Sequence, residues 1–222
     1  MEILFDLDGT LTDSAPGITR CIQEALRKLG RADVPPEDSL RRFVGPPLYE
    51  TFALLLETEA EANLAEAVRL YRERFVVTGM FENALYPGVE EGLARLDAAG
   101  HRLFLATSKP KVYAERIVAH FGIASRFAGV YGPDLDGRNH DKADLIRDLL
   151  AREGVAPGAA CMVGDRAFDV RGARANGVSA VAVSWGFGTA EELQAAEPDA
   201  VVATFPELCA YFERATSRGG QR

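Results

Sequence analysis

Two carboxylates two residues apart, Asp6 and Asp8, stand in the run Ile3-Leu4-Phe5-Asp6-Leu7-Asp8-Gly9-Thr10-Leu11-Thr12. A short apolar run ended by a turn signal predicts a strand buried on both faces. Gly9 permits backbone angles that a ladder does not need, so the strand should stop near Leu7. Asp6 and Asp8 then sit at the carboxyl end of a buried strand, where open α/β sheets place their chemistry. Close carboxylates repel unless a cation or a shared proton relieves them. Mg²⁺ is the matching cation, since it takes one or two carboxylates, waters and substrate phosphate oxygens.

Three later clusters also fall at strand or helix ends. Thr107 and Ser108 follow the apolar run Leu103-Phe104-Leu105-Ala106. Lys142 starts an amphipathic stretch, where a cation beside a helix N-terminus favours an anion. Asp165 and Asp169, in Gly164-Asp165-Arg166-Ala167-Phe168-Asp169, follow the run Ala160 to Val163. Taken singly, each reads as well as a turn residue, a helix cap or a solvated charge.

The elements between them decide whether these residues meet. Helical periodicity fills residues 16–82: Ile18, Ile22, Ala25, Leu26 and Leu29 share a stripe, as do Leu64, Val68, Tyr71 and Phe75. Beyond Tyr86-Pro87-Gly88, apolar strands alternate with amphipathic helices, ending on a helix from Pro206 to Arg214. That pattern predicts an α/β fold, a doubly wound parallel sheet covered on both faces, with a helical insertion after the first strand. Right-handed crossovers bring the carboxyl ends of all strands to one edge, which gathers the scattered clusters. The expected division is a core of residues 1–15 and 83–216, a helical cap of residues 16–82, and a flexible tail of residues 217–222.

The run Asp6, Asp8, Gly9, Thr10, Leu11, Asp13, Ser14 resembles motif I of the haloacid dehalogenase-like hydrolase superfamily. Thr107-Ser108, Lys142 and the Gly164 to Asp169 segment resemble its motifs II, III and IV. The resemblance implies a Rossmann-like core with an inserted C1 cap and a Mg²⁺-dependent phosphatase. It implies Asp6 as the nucleophile forming an aspartyl-phosphate, and Asp8 as the general acid and base. Thr107, Ser108 and Lys142 would bind phosphate. Asp6, Asp165 and the backbone carbonyl of Asp8 would hold the metal, with Asp169 behind them. Asp8 itself argues against the dehalogenases, which lack that second aspartate. Phe43-Val44-Gly45-Pro46-Pro47-Leu48, Thr107-Ser108-Lys109-Pro110 and Leu135-Asp136-Gly137 look most like the branch of phosphoglycolate phosphatases and related nucleotidase-like enzymes, with phosphoglycolate phosphatase the nearest resemblance. A 5'-nucleotidase or phosphotyrosine-type phosphatase is the alternative, and a phosphomutase is a more distant one. Lys109, Gly45 and Arg42 are the candidate substrate contacts; His101, His120 and His140 are left as structural or solvated, and Trp185 and Phe187 as packing residues.

The whole chain sets outer bounds. Its 222 residues, 47% apolar and 26% charged, suit a globular protein with a full core. A formal net charge of −8 disfavours nucleic acid as a partner, so a phosphorylated metabolite must be drawn in by a local cationic pocket. Three cysteines, Cys21, Cys161 and Cys209, have neither disulfide nor zinc spacing and fit a reducing, cytoplasmic setting. No stretch approaches a membrane span and no signal peptide is visible. A monomer or homodimer is expected.

Overall fold

Ile3, Leu4 and Phe5 are fully buried because strand β1, Glu2–Phe5, is the third of six in its sheet and has partners on both sides. The computed structural model describes residues 1–135 and 141–219, with side chains through residue 214. The chain divides into two compact units, Met1–Thr12 with Leu85–Arg222, and Asp13–Ala84.

The first unit holds a six-stranded parallel sheet. After β1 its strands are β4 (Arg102–Ala106), β5 (Gly129–Tyr131), β6 (Ala160–Gly164), β7 (Ser179–Val183) and β8 (Ala200–Val202), in the spatial order β5-β4-β1-β6-β7-β8. Phe5 is level with Leu105 of β4 on one side and Val163 of β6 on the other. The chain therefore winds outward from β1 in both directions, which makes the ends of β1, β4 and β6 a topological switch point.

Side chains alternate across the sheet. Leu4, Phe104 and Met162 share one core cluster with Leu145, Ile146 and Leu149 of helix α7 (Lys142–Glu153) and Val170 of helix α8 (Ala167–Ala175). On the opposite face Phe5 stacks on Phe205, ring centroids 6.1 Å apart, at the start of helix α10 (Phe205–Gly219). Helix α5 (Val89–Ala98) packs against α10, and Val89, Leu93 and Leu96 are buried as their spacing predicts. His101 is buried against Phe212, centroids 5.9 Å apart, and His120 lies exposed beside Phe121.

The second unit is helical: α1 (Ala15–Lys28), the short α2 (Glu37–Leu40), α3 (Leu48–Leu56) and α4 (Glu61–Phe75). Ile18, Ile22, Ala25 and Leu26 of α1 are buried, with α1 packed on α4, whose inward face is Leu64, Val68, Tyr71 and Phe75. Leu29, expected on the α1 stripe, is only half-buried because it already caps the helix end. Fully buried Phe52 of α3 meets the Tyr71 ring edge-on at 6.3 Å.

Several elements differ from the sequence expectation. The unit boundaries fall at Thr12/Asp13 and Ala84/Leu85, where strands β2 (Thr12–Asp13) and β3 (Ala84–Leu85) form a separate two-stranded sheet. Two-residue strands carry no periodicity to read. Helix α6 (Lys111–His120) follows β4 as expected, but α9 (Ala190–Ala196) was not anticipated. Helix α10 continues to Gly219, past the point where a tail was expected to start. Asp136, Gly137 and His140, and tail residues 220–222, lie outside the described residues. Cys21, Cys161 and Cys209 are free and buried. Among the described residues no helix is long and apolar enough to cross a membrane.

Candidate active site

The site is built where β1, β4 and β6 end side by side. Asp6 N–H donates to the Val163 carbonyl at 2.9 Å, so the β1 ladder runs on just far enough to fix Asp6 at the edge. Beyond it the chain folds back tightly. Thr12 N–H donates to the Leu7 carbonyl at 3.0 Å and Gly9 N–H to the Thr12 carbonyl at 2.8 Å. Gly9 has φ +85°, a conformation L side chains rarely adopt. Thr107 N–H donates to the Tyr131 carbonyl at 3.0 Å, which holds Thr107 at the end of β4, and Ser108 stands in the bend that follows.

Lys142 is the first residue of α7. Asp141 caps that helix, its Oδ1 accepting from Ala143 N–H at 2.7 Å. The Lys142 side chain is turned inward and only 4% exposed. Its Nζ lies 3.2 Å from Asp6 Oδ1 and 2.8 Å from Asp169 Oδ1, and donates to the Ala106 carbonyl at 3.0 Å. One ammonium thus ties together β1, β4 and α8. Burial alone would push it down, but the adjoining Asp169 and Asp6 outweigh that and hold it above the usual lysine range.

Asp6, Asp165 and Asp169 each offer a carboxylate oxygen within 4.8 Å of the others, all three buried. Asp165 Oδ1 accepts from the Thr10 hydroxyl at 3.3 Å and its Oδ2 from Phe187 N–H at 2.7 Å. Asp169 Oδ2 accepts from Arg166 N–H at 3.1 Å. Burial, with Asp169 and Asp6 nearby, pushes the Asp165 carboxyl well above the usual range. Burial likewise raises Asp169, even against the pull of Lys142. Three carboxylates against one ammonium leave two negative charges unmatched when all are ionised. A divalent cation bound by oxygen fits that donor set in charge and in ligand type.

Asp8 stands outside that trio. Its Oδ2 pairs with Lys109 Nζ at 2.8 Å, with side chains 12% and 6% exposed. Its carboxylate is therefore not among the three clustered ones, whereas Asp169, expected to hold Lys142 or a metal-bound water, pairs with Lys142 beside Asp6 and Asp165. In the helical unit Arg42 lies 4.8 Å over the Phe43 ring, and Gly45 (φ +105°) forms the turn before α3. Arg20 pairs with Glu37 and Glu82, both at 3.2 Å, and Arg41 with Asp13 at 3.7 Å.

Sequence reasoning passed over the loop after β7. Trp185 Nε1 donates to the Thr10 carbonyl at 3.0 Å, and Phe187 N–H holds Asp165. A Cβ on Gly186 or on Gly9 would overlap the Asp165 carboxylate. The signal was present as Trp185-Gly186-Phe187-Gly188 at the same sheet edge. Its glycines lack the spacing of a phosphate loop, so the pattern alone points to packing.

Residues 3–183 match the family described as haloacid dehalogenase-like hydrolase. The chain belongs to that family. A 5'-nucleotidase of Pseudomonas aeruginosa is 48% identical over 197 residues, 89% of this chain and 88% of that protein. The tyrosine-protein kinase PtkA of Mycobacterium tuberculosis is 42% identical over 209 residues, 93% of this chain and 70% of that protein. A phosphoglycolate phosphatase of Nitrosococcus oceani is 30% identical over 212 residues, 93% of each chain. Among solved structures, "a predicted phosphatase from Clostridium acetobutylicum" superposes with a TM-score of 0.90 at 39% identity, covering 96% of this chain and 98% of that one. By these likenesses this haloacid dehalogenase-like hydrolase is a phosphatase, and its parallel sheet is the family's α/β fold.

Proposed function

We propose that the protein hydrolyses a small, soluble phosphate monoester through a phosphorylated Asp6, with Mg²⁺ as cofactor. The observation that carries this is the placement of Lys142 between Asp6 and Asp169, beside Asp165, in one buried cluster. Asp6, Asp165 and the Asp8 backbone carbonyl would hold the ion. When bound, Mg²⁺ supplies positive charge that offsets the phosphoryl oxygens. Thr107, Ser108 and Lys142 position those oxygens, and Lys142 holds the Asp6 carboxylate oriented for attack. Asp8 protonates the leaving alkoxide and later takes a proton from the hydrolytic water.

Substrate choice is the finer question. Motif resemblance favoured phosphoglycolate, but the higher identity to a 5'-nucleotidase supports nucleoside monophosphates as the first class to test. The likeness to PtkA gives a second reading, in which the phosphoryl group passes to or from tyrosine. The test is phosphate release, with Mg²⁺ and with chelator, from adenosine 5'-monophosphate, phosphoglycolate, sugar phosphates and phosphotyrosine. Continuous release that needs Mg²⁺ and vanishes in Asp6→Asn is expected. Transfer from ATP to a tyrosine peptide, with no hydrolysis of any monoester, would contradict the proposal.

A further inference from the structure

Lys109 was expected to touch substrate, but its ammonium is engaged elsewhere. Its Nζ lies 2.8 Å from Asp8 Oδ2, and the residue is 9% exposed, far less than a solvated lysine. The other Asp8 oxygen, Oδ1, is buried and accepts no hydrogen bond among the described residues. One oxygen of this carboxylate is thus held and the other left for a reacting partner. The stem of Lys109 is fixed as well. Its N–H donates to Thr107 Oγ1 at 3.2 Å, and the next residue, Pro110, sets the start of α6. Lys111 N–H donates to the Pro133 carbonyl at 3.0 Å, and Gly132 lies against the Lys109 carbonyl where a Cβ would overlap it.

We infer that Lys109 is a positioning residue that orients the Asp8 carboxylate for both proton transfers of the reaction. The inference rests on the reading of Asp6 and Asp8 given above. In the first half-reaction an Asp6 oxygen bonds to phosphorus, the phosphorus–oxygen bond to the leaving group breaks, and the leaving oxygen takes the Asp8 proton. In the second, a water oxygen bonds to phosphorus and gives its proton to Asp8. The Asp6–phosphorus bond breaks and its electron pair returns to the Asp6 carboxylate. A misaimed Asp8 impairs both halves for an alkyl phosphate. For p-nitrophenyl phosphate it impairs only the second, because p-nitrophenolate departs without a proton.

Lys109→Met keeps the stem and removes the charge, and Lys109→Arg restores a cation. With adenosine 5'-monophosphate, Lys109→Met should lower kcat by about tenfold or more with KM little changed. With p-nitrophenyl phosphate it should give a stoichiometric burst of p-nitrophenol and then slow turnover. Lys109→Arg should recover part of the lost rate. Should Lys109→Met fail to fold, Lys109→Gln gives the same comparison. A raised KM with unchanged kcat would overturn the inference in favour of substrate binding. Equal losses on both substrates, without a burst and without rescue by Arg, would reduce Lys109 to a packing role. Wild-type turnover with unaltered Lys109 variants would sink this inference alone. A wild type that hydrolyses neither compound would remove the reading beneath it.

Discussion

The residues of the site are arranged against their own stability. Asp165 is fully buried beside Asp6 and Asp169, and the ammonium of Lys142 reaches two of the three carboxylates. Removing one of those charges should therefore help the fold and harm the chemistry. In chelator-treated protein, Asp165→Asn is expected to raise the melting temperature, while activity with Mg²⁺ falls by about a hundredfold or more. The pH dependence has a definite sign. Burial raises the folded-state values of Asp165 and Asp169, so their contribution to stability is complete below the unfolded carboxylate value, about 3.9. It is lost as pH rises through the raised values. The stabilisation given by Mg²⁺ should consequently grow from about pH 5 to about pH 8, read as the melting-temperature difference with and without the ion. A gain that shrinks over that range would contradict this account of the cluster.

At the level of elements, the sheet edge was readable from sequence wherever a strand or helix was long enough to show its period. β4 and β6 end within one position of their apolar runs and α7 starts on Lys142, while β1 ends at Phe5, two residues before Leu7. What could not be read is which ends become neighbours. The order β5-β4-β1-β6-β7-β8 departs from chain order, so the contacts of Lys109 with Asp8 and of Phe187 with Asp165 join segments whose adjacency no local periodicity encodes. β2, β3 and α9 were missed because two to seven residues carry too little pattern. The loop after β7 supplies the sharpest test at this scale. Gly186→Ala places a methyl group on the Asp165 carboxylate. Far-ultraviolet circular dichroism should remain that of the wild type while kcat falls about tenfold or more. Wild-type activity in that variant would show that the loop does not help to hold Asp165.

For the molecule as a whole, net charge and local charge have opposite signs of usefulness. The chain carries −8 overall, yet the proposed reaction brings an anion beside Asp6. In the proposed reaction the buried ammonium of Lys142 and a divalent ion held by the cluster would answer that need at short range, where solvent screening is weakest. Membership of the haloacid dehalogenase-like hydrolases and the phosphatase assignment follow from likeness over most of the chain. Substrate does not follow in the same way, because relatives of similar coverage carry the names 5'-nucleotidase, PtkA and phosphoglycolate phosphatase. The proposal that comes before any choice of substrate is covalent: that Asp6 carries the phosphoryl group between donor and water. The direct measurement is peptide mass spectrometry of Asp8→Asn, quenched in acid after exposure to p-nitrophenyl phosphate and Mg²⁺. The account predicts a phosphoryl increment on the peptide containing Asp6, absent when Asp6→Asn is added. An increment on another residue, or wild-type turnover that survives Asp6→Asn, would contradict it.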